Sequence, residues 1–325
     1  MEEDMRLFIC EKLASIRYLS KAGVALDGDV AFLTASLGAW KPELPQVSFP
    51  SIPFTELLDL NSEESGFMNG MHIKMLSGGV WGDVVEHGDL KSRLKKVAAD
   101  AVEIVVAVDN DRRGAYGAKQ ALDVIGCGKK YSVMTFSSFS ENDLQNAWAL
   151  RTDNLSAVDR LECLALEQTI KKHFDALWHI NSAKVLKETC LFSQGVRTAP
   201  ISKMEMLTLK LVQELDSSNG SFRQKDVLSL METSNVGSCT TQAQILTNMM
   251  KRGLFEAIED GFPSRYRLSE CAKRFIGRCH PESFDLELPS KLDKWMQEQD
   301  LTSAINYIDT YFKRQLEYQR KLVLG

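Results

Sequence analysis

The sequence predicts an α/β domain with a mostly parallel sheet, followed by a mainly α-helical domain. Over residues 1–139, short apolar runs alternate with stretches whose apolar residues recur three and four apart. After Ser140 the helical spacing is almost continuous. The 325 residues, 44% of them hydrophobic, also exceed the ~100–200 residues typical of one domain. Strands that alternate with helices favour a parallel sheet, and the helical remainder favours a second domain.

The first domain reads as four strands and three helices in alternation. The strands are predicted in "RLFIC", "DVAFLTAS", "EIVVAV" and "YSVMTF", and the helices in "KLASIRYLSKA", "LKSRLKKVAADA" and "AYGAKQALDVI". Residues 41–89 hold four of the eight prolines and many glycines, and we expect irregular surface structure there.

The remainder divides into three predicted parts. Residues 140–215 form a helical segment, and "DSSNGS" at 216–221 reads as a linker. In residues 222–325, "FRQKDVLSLMET" and "TTQAQILTNMMKRGL" predict two helices, followed by a strand, a turn and the strand "RYRL". Helix, turn, helix and hairpin is the outline of a winged helix, and two more helices end the chain.

Composition limits the kind of protein and its surroundings. A net charge of −5 gives no overall attraction to phosphate backbones, so any nucleic-acid contact depends on local basic clusters. No apolar run approaches the ~18 residues of a membrane span, and no leader-like segment precedes Met5, which predicts a cytoplasmic protein without a membrane partner.

The seven cysteines form no C-x-x-C pair, which predicts reduced thiols rather than a disulfide framework or zinc site.

Carboxylates follow two of the predicted strands. Glu11 comes directly after "RLFIC", and Asp109 and Asp111 follow "IVVAV". Because the carboxyl ends of parallel strands form one edge of a sheet, we expect these side chains to meet there. Carboxylate oxygens are ligands that Mg²⁺ prefers, so the pattern predicts a magnesium site. The alternative is that "DND" before Gly114 only forms a turn.

The flanks of these carboxylates resemble a known family. "MRLFICEKLASIRYLSKA" resembles the start of type IA DNA topoisomerases of the topoisomerase III kind, and "EIVVAVDNDRRGAYGAKQAL" is similar to the family's D-x-D-R-E-G segment. These are the two halves of a Toprim domain, which the resemblance implies for residues 1–139. "FDALWHINSAKVL", "FSQGVRTAPI" and "NVGSCTTQAQILTNMMKRGLFE" resemble later segments of the same family in the same order.

The resemblance implies roles for individual residues. Glu11, Lys12, Asp109 and Asp111 take the place of catalytic residues, with the three acids as ligands of Mg²⁺. Arg113 stands where the family has a third acid of its D-x-D-x-E motif, so we expect weaker magnesium binding and direct contact with a phosphate. Contacts to single-stranded DNA are predicted for basic and hydroxyl side chains: Arg112, Arg113, Lys171, Lys184, Arg197, Thr240 and Thr241.

The sequence also departs from that family. None of its seven tyrosines lies in the family's Tyr-x-R-T-D context, and residues 216–221 stand where the tyrosine-bearing gate is inserted. Without a nucleophile we expect no autonomous relaxation of DNA. Three hypotheses follow: an accessory protein that binds single-stranded DNA, a metal-dependent nuclease or phosphotransferase using Glu11, Asp109 and Asp111, or a subunit of a larger DNA-processing complex.

Overall fold

A computed structural model describes most of the chain. The described ranges are 5–34, 73–84, 90–126, 130–151, 155–189, 201–258, 264–297 and 300–324. The described chain divides into two compact units, of which the first ends at Lys171 and the second begins at Lys172.

A six-stranded mixed sheet forms the centre of the first unit, in the order β4, β3, β2, β1, β5, β6. Strand β1 pairs in parallel with both β2 and β5, and β5 pairs in parallel with β6, whereas β2–β3 and β3–β4 are antiparallel. This confirms the prediction of an α/β fold with mostly parallel strands. The strands are β1 (Arg6–Cys10), β2 (Val30–Leu33), β3 (Ile73–Ser77), β4 (Val80–Asp83), β5 (Glu103–Ala107) and β6 (Tyr131–Val133).

Helices cover both faces of this sheet. They are α1 (Leu13–Lys21), α2 (Leu90–Asp100), α3 (Arg112–Ile125), α4 (Glu141–Leu150) and α5 (Leu155–Thr189), which continues past the end of the unit. Leu7, Ile9 and Ile104 point to the face covered by α2, α3 and the start of α5, whereas Phe8 and Val105 point to the face covered by α1 and α4. Burial on both faces explains why these strands are continuous apolar runs.

The hairpin β3–β4 corrects the expectation of irregular structure throughout residues 41–89. Gly78 and Gly79 connect the two strands with φ of +55° and +78°. Two successive residues of positive φ give the turn whose twist matches a hairpin, and glycine adopts them without a steric penalty. The paired glycines are the sequence signal for this hairpin. Residues 35–72 lie outside the described part.

The second unit is helical apart from one hairpin. Its helices are the end of α5, α6 (Lys203–Asn219), α7 (Gln224–Thr233), α8 (Cys239–Lys251), α9 (Glu270–Arg278), α10 (Leu288–Gln297) and α11 (Leu301–Leu324), with a 3₁₀ turn at Pro281–Phe284. Strands β7 (Phe255–Ile258) and β8 (Arg265–Leu268) pair antiparallel. Phe222 forms a bridge to Tyr266 of β8, with a backbone hydrogen bond of 2.8 Å in each direction.

The structure differs from the predicted linker at 216–221. Helix α6 continues through Asn219 and ends at Gly220, whose φ is +68° and whose N–H donates to the Asp216 carbonyl. A glycine in the left-handed region is a common end for a helix, so "DSSN" forms its last turn. The predicted domain boundary at 139 also differs from the observed division at 171, because α4 and the first half of α5 belong to the first unit.

Two further observations concern the cysteines and the helices. Cys10, Cys163, Cys239 and Cys279 are free thiols, but Cys271 is disulfide-bonded, which corrects the prediction of reduced thiols at that position. Spacing along the chain does not reveal which cysteines the fold brings together. Within the described ranges, no helix combines the length and the apolar character needed to cross a lipid bilayer.

Candidate metal and phosphate site

The parallel pairing of β1 with β5 brings the three predicted carboxylates to one edge of the sheet. Cys10 and Ala107 are partners in register at the ends of the two strands, so Glu11 and the residues from Val108 onward leave the sheet side by side. Carboxylate oxygens of Glu11, Asp109 and Asp111 all lie within 4.8 Å of one another. This spacing allows three oxygens to share one cation.

Glu11 is the innermost member of this carboxylate cluster. Its side chain is only 3% exposed, and Oε2 is buried with no hydrogen-bond partner among the described residues. An unpaired buried carboxylate oxygen costs free energy, because it loses water without gaining a partner. A ligand that contacts Oε2 would remove this cost. Asp109 is half-buried and Asp111 is exposed, so the cluster opens towards solvent on their side.

Two basic side chains border the carboxylates. Lys12 Nζ lies 3.0 Å from Glu11 Oε1 and 3.4 Å from Asp109 Oδ2, and Arg113 Nε lies 3.9 Å from Glu11 Oε1. The pKa of Lys12 is raised above its usual value, first by its hydrogen bond to Glu11, so this amine is protonated at neutral pH. Lys12 and Arg113 are both about half exposed and can therefore reach a phosphate in solution.

The start of α3 fixes the position of Asp111. Asp111 precedes the helix with extended backbone, and its Oδ1 accepts a 2.8 Å hydrogen bond from the Gly114 N–H. A side chain at Gly114 would not fit, because a Cβ there would lie 2.6 Å from the Asp109 carbonyl oxygen. "DND" therefore caps a helix, and the same segment contributes two carboxylates to the cluster.

Thr34 is a polar residue at this sheet edge that the sequence interpretation missed. It follows β2, and its N–H donates to the Cys10 carbonyl, so it lies beside the end of β1. The hydroxyl is buried and has no partner among the described residues. The rule that located Glu11, a polar residue directly after a buried strand, also applies to Thr34 in "AFLT".

Of the predicted DNA-binding residues, Arg113 borders this cluster, Arg112 and Lys171 also belong to the first unit, and Thr240 and Thr241 belong to the second unit. Arg112 pairs with Glu167 of α5, with 2.6 Å between Nε and Oε2. Lys171 lies half-buried farther along α5. Thr240 and Thr241 are exposed in the first turn of α8, where Thr241 Oγ1 accepts a hydrogen bond from the Ser238 N–H. The Lys184 side chain and Arg197 lie outside the described part of the chain.

The first unit is thus an α/β domain with a carboxylate cluster at the carboxyl edge of its sheet, and comparisons with known proteins add little to this. No protein-family model matches the chain, and no curated protein is similar to it. A solved structure of the ORC2 protein from Aeropyrum pernix, in ADPNP and ADP complexes, is similar over 89% of each chain, at 11% identity and a TM-score of 0.22. A likeness of this size carries no argument about fold or function.

These findings correct the resemblance to type IA topoisomerases. No protein-family model and no curated protein, topoisomerases included, matches the chain. The assignment to that family is wrong, and so is the interpretation of residues 216–221 as the place of a lost gate. Glu-Lys after one strand and D-x-D after another are short motifs, which recur at the carboxyl edges of unrelated α/β sheets. The roles of the site residues therefore depend on their geometry alone.

Proposed function

We propose that this chain is a DNA-processing protein that holds a divalent cation at Glu11, Asp109 and Asp111 and uses it to bind a phosphate of single-stranded DNA. The observation that carries the proposal is the carboxylate cluster itself, with its oxygens within 4.8 Å and a buried, unpaired oxygen on Glu11. Mg²⁺ is the expected ion, because it takes one or two carboxylates and completes its octahedron with water and phosphate oxygens.

The charges around the cluster support a cation. Three carboxylates face the ammonium of Lys12 and the guanidinium of Arg113, so the cluster retains net negative charge. Like charges at this distance repel, and a bound cation relieves that repulsion. When bound, the ion would neutralise a phosphate. Lys12 and Arg113, on the exposed side, would then donate hydrogen bonds to the phosphate oxygens that the ion leaves free.

We also propose finer descriptions of the two units. The first has Glu after the first strand and Asp-x-Asp after a parallel neighbour, which supports a Toprim type of domain. In the second, α6, α7 and α8 precede the β7–β8 hairpin, and Phe222 forms an isolated bridge to Tyr266 of β8, which supports a winged helix. Thr240 and Thr241 would then contact DNA from the first turn of α8. A protein partner within a larger complex stays a prediction.

The test measures cation binding and DNA binding together. Mn²⁺ as a paramagnetic probe for Mg²⁺ is titrated into the full chain, and fluorescence anisotropy follows a labelled single-stranded oligonucleotide at low salt with Mg²⁺ or EDTA. We expect Asp109→Asn to weaken Mn²⁺ binding at least tenfold, as for loss of a ligand, and to weaken binding of the oligonucleotide in Mg²⁺. Asp123→Asn is the matched control, since Asp123 pairs with Lys119 on the surface of α3.

The same experiment can refute the proposal. If the wild-type chain binds no Mn²⁺, or if Asp109→Asn binds it as well as wild type does, the carboxylate cluster is not a cation site. If Mn²⁺ binds but the oligonucleotide has the same affinity in Mg²⁺ and in EDTA, the cation does not hold the DNA phosphate. DNA binding should also fall with rising salt, because the contacts are to phosphates.

A second candidate function is hydrolysis of a phosphodiester at this site. The observation that favours it is the 3.0 Å pair of Lys12 with the nearly buried Glu11, which puts a proton donor and an anionic group beside the proposed ion. A metal ion can lower the pKa of a bound water and so supply the nucleophile. Incubation of single-stranded and nicked DNA with Mg²⁺ or Mn²⁺ tests it. An absence of cleavage, or cleavage that Asp109→Asn does not reduce, would eliminate this candidate.

A further inference from the structure

A pocket of about 610 Å³ opens directly beside the carboxylate cluster. One wall of the pocket is formed by Asp109, Asn110 and Asp111. The other wall is formed by the loop that follows β6 and by Asp143 of α4. The loop residues that line it are Thr135, Phe136, Ser137, Ser138 and Phe139. Its volume is within the ~300–1,000 Å³ of ordinary ligand sites.

The lining selects against an anion and for a flat, neutral group. It contains three carboxylates, hydroxyls and two aromatic rings, and no lysine or arginine is among its described residues. A phosphate placed there would face Asp109, Asp111 and Asp143 without a compensating cation from the pocket wall. An aromatic heterocycle with amine hydrogens suits this lining, because rings stack on phenylalanine and carboxylates accept hydrogen bonds from exocyclic amines.

The aromatic wall is held in place before any ligand binds. The Phe139 ring stacks on Tyr18 of α1, with centroids 5.1 Å apart and planes at 24°, and it lies 5.3 Å from the ring of Phe136. The loop is fixed by Asp143, whose Oδ2 accepts hydrogen bonds of 2.9 Å and 2.6 Å from the N–H groups of Ser137 and Ser138. These bonds, first the one from Ser138, lower the pKa of Asp143, so it remains a carboxylate at neutral pH.

We propose that this pocket receives the nucleobase of a nucleotide whose phosphate is held at the carboxylate cluster. The base stacks on Phe139, and its amine hydrogens donate to Asp143, the aspartate of the lining that is not a proposed ligand of the cation. This inference depends on the proposed function, since the cluster must hold the phosphate, and it adds that the DNA must be single-stranded at this nucleotide. A paired base is stacked within the duplex and cannot enter a pocket without being flipped out. Cytosine, which carries an exocyclic amine, should fit better than thymine.

Competition with small molecules tests the pocket in the wild-type chain. A fluorescent single-stranded oligonucleotide is bound in Mg²⁺ and displaced with dCMP or with deoxyribose 5-phosphate, which carries a phosphate but no base. We expect dCMP to compete at concentrations about tenfold lower, a difference typical of one stacked base. Equal competition by the two compounds would overturn the proposal. The pocket would recognise the base of a free nucleotide and a base within a strand by the same contacts. An oligonucleotide with one abasic position distinguishes the two ligands, because weaker binding of it than of the intact oligonucleotide shows that a base in a strand occupies the pocket.

Variants of Phe139 test the stacking wall. Phe139→Leu keeps apolar volume but removes the ring, and we expect oligonucleotide affinity to fall about tenfold while Mn²⁺ affinity stays at the wild-type value. Phe139→Tyr keeps an aromatic ring at this position, and we expect it to bind the oligonucleotide with the affinity of the wild type. The control is Tyr307→Ala, which removes one ring of another exposed stacked pair, Trp295 and Tyr307, in the second unit.

The outcomes distinguish the two proposals. If wild type binds no Mn²⁺, the proposed function fails. If Mn²⁺ and the oligonucleotide bind and Phe139→Leu, folded by circular dichroism, binds the oligonucleotide like wild type, the nucleobase site alone fails. If Phe139→Leu does not fold, the competition by dCMP against deoxyribose 5-phosphate in wild type decides the question.

Discussion

Gly117 lies where helix α3 passes close to Thr34, the residue after β2, and its substitution by alanine tests that packing. A Cβ on Gly117 would lie 2.7 Å from Thr34 Oγ1 and 2.8 Å from Thr34 Cβ. Non-bonded carbon atoms prefer about 3.5–4.0 Å, so either α3 or Thr34 must move by more than about half an ångström. Gly117 is therefore the residue that lets α3 lie against the end of β2.

Two opposing effects set the change in the free energy of unfolding that we expect for Gly117→Ala. Replacing glycine by alanine within a helix is worth about 1 kcal/mol when space is free. Overpacking a close-packed contact costs about 1–3 kcal/mol. We therefore expect Gly117→Ala to lower the free energy of unfolding by up to about 2 kcal/mol. Gly277→Ala in α9 is the matched control, because a Cβ added there would meet no atom within 4 Å, and it should raise that free energy by about 0.5–1 kcal/mol.

Urea denaturation followed by circular dichroism measures both variants. We predict that Gly117→Ala is less stable than Gly277→Ala by about 1–3 kcal/mol. If both substitutions stabilise the chain equally, α3 does not approach Thr34 as closely as described. A double variant with Thr34→Gly removes both atoms in conflict, so the penalty of Gly117→Ala should be smaller in that background.

Three further predictions concern charge. Asp29 is 2% exposed and accepts hydrogen bonds from the Arg6 side chain and from two backbone N–H groups. We expect Asp29→Ala to lower the free energy of unfolding, measured in urea, by about 3–5 kcal/mol. The surface substitution Asp123→Ala is the control and should lower it by less than about 1 kcal/mol. Burial lowers the pKa of His173 from 6.5 to about 4. The stability that this neutral histidine contributes is therefore present above pH 6.5 and is lost as the pH falls towards 4. Relative to His173→Gln, the free energy of unfolding of the wild type should fall by about 3 kcal/mol across that window. Arg113→Ala removes a half-exposed positive charge near Glu11, and Mn²⁺ affinity should rise about two- to fivefold in the same titration as above; unchanged affinity would mean that this guanidinium does not act on the site.

Secondary structure and the sheet edge at which a residue lies were predictable, because local spacing and the topology of parallel sheets govern them. The alternation of apolar runs indicated β1, β2 and β5, and the rule that polar residues gather at the carboxyl edge of a parallel sheet correctly placed Glu11 beside Asp109. Capping chemistry also explains why α6 absorbs "DSSN" and stops at Gly220, although its composition indicated a linker.

The particular partner of a side chain was not predictable in this way. Arg112 was expected to face DNA, but it pairs with Glu167, 55 residues away, and no local pattern indicates that partner. Phe139 lies in the loop after β6 and stacks on Tyr18 of α1, a partner that no local pattern indicates. The family resemblance failed for a related reason, since it joined short strings whose residue types are common in helices and at strand ends.

Asp111 would link a bound cation to the order of helix α3. Its carboxylate caps α3 through the Gly114 N–H and also belongs to the carboxylate cluster. A ligand present at about a hundred times its dissociation constant stabilises the state that binds it by about 2.7 kcal/mol. With a cation bound as proposed, the binding free energy would also stabilise the first turn of the 14-residue helix α3, which Asp111 caps. Amide exchange at Gly114 would then slow as the concentration of Mg²⁺ rises, and the backbone of α3 would report the occupancy of the site.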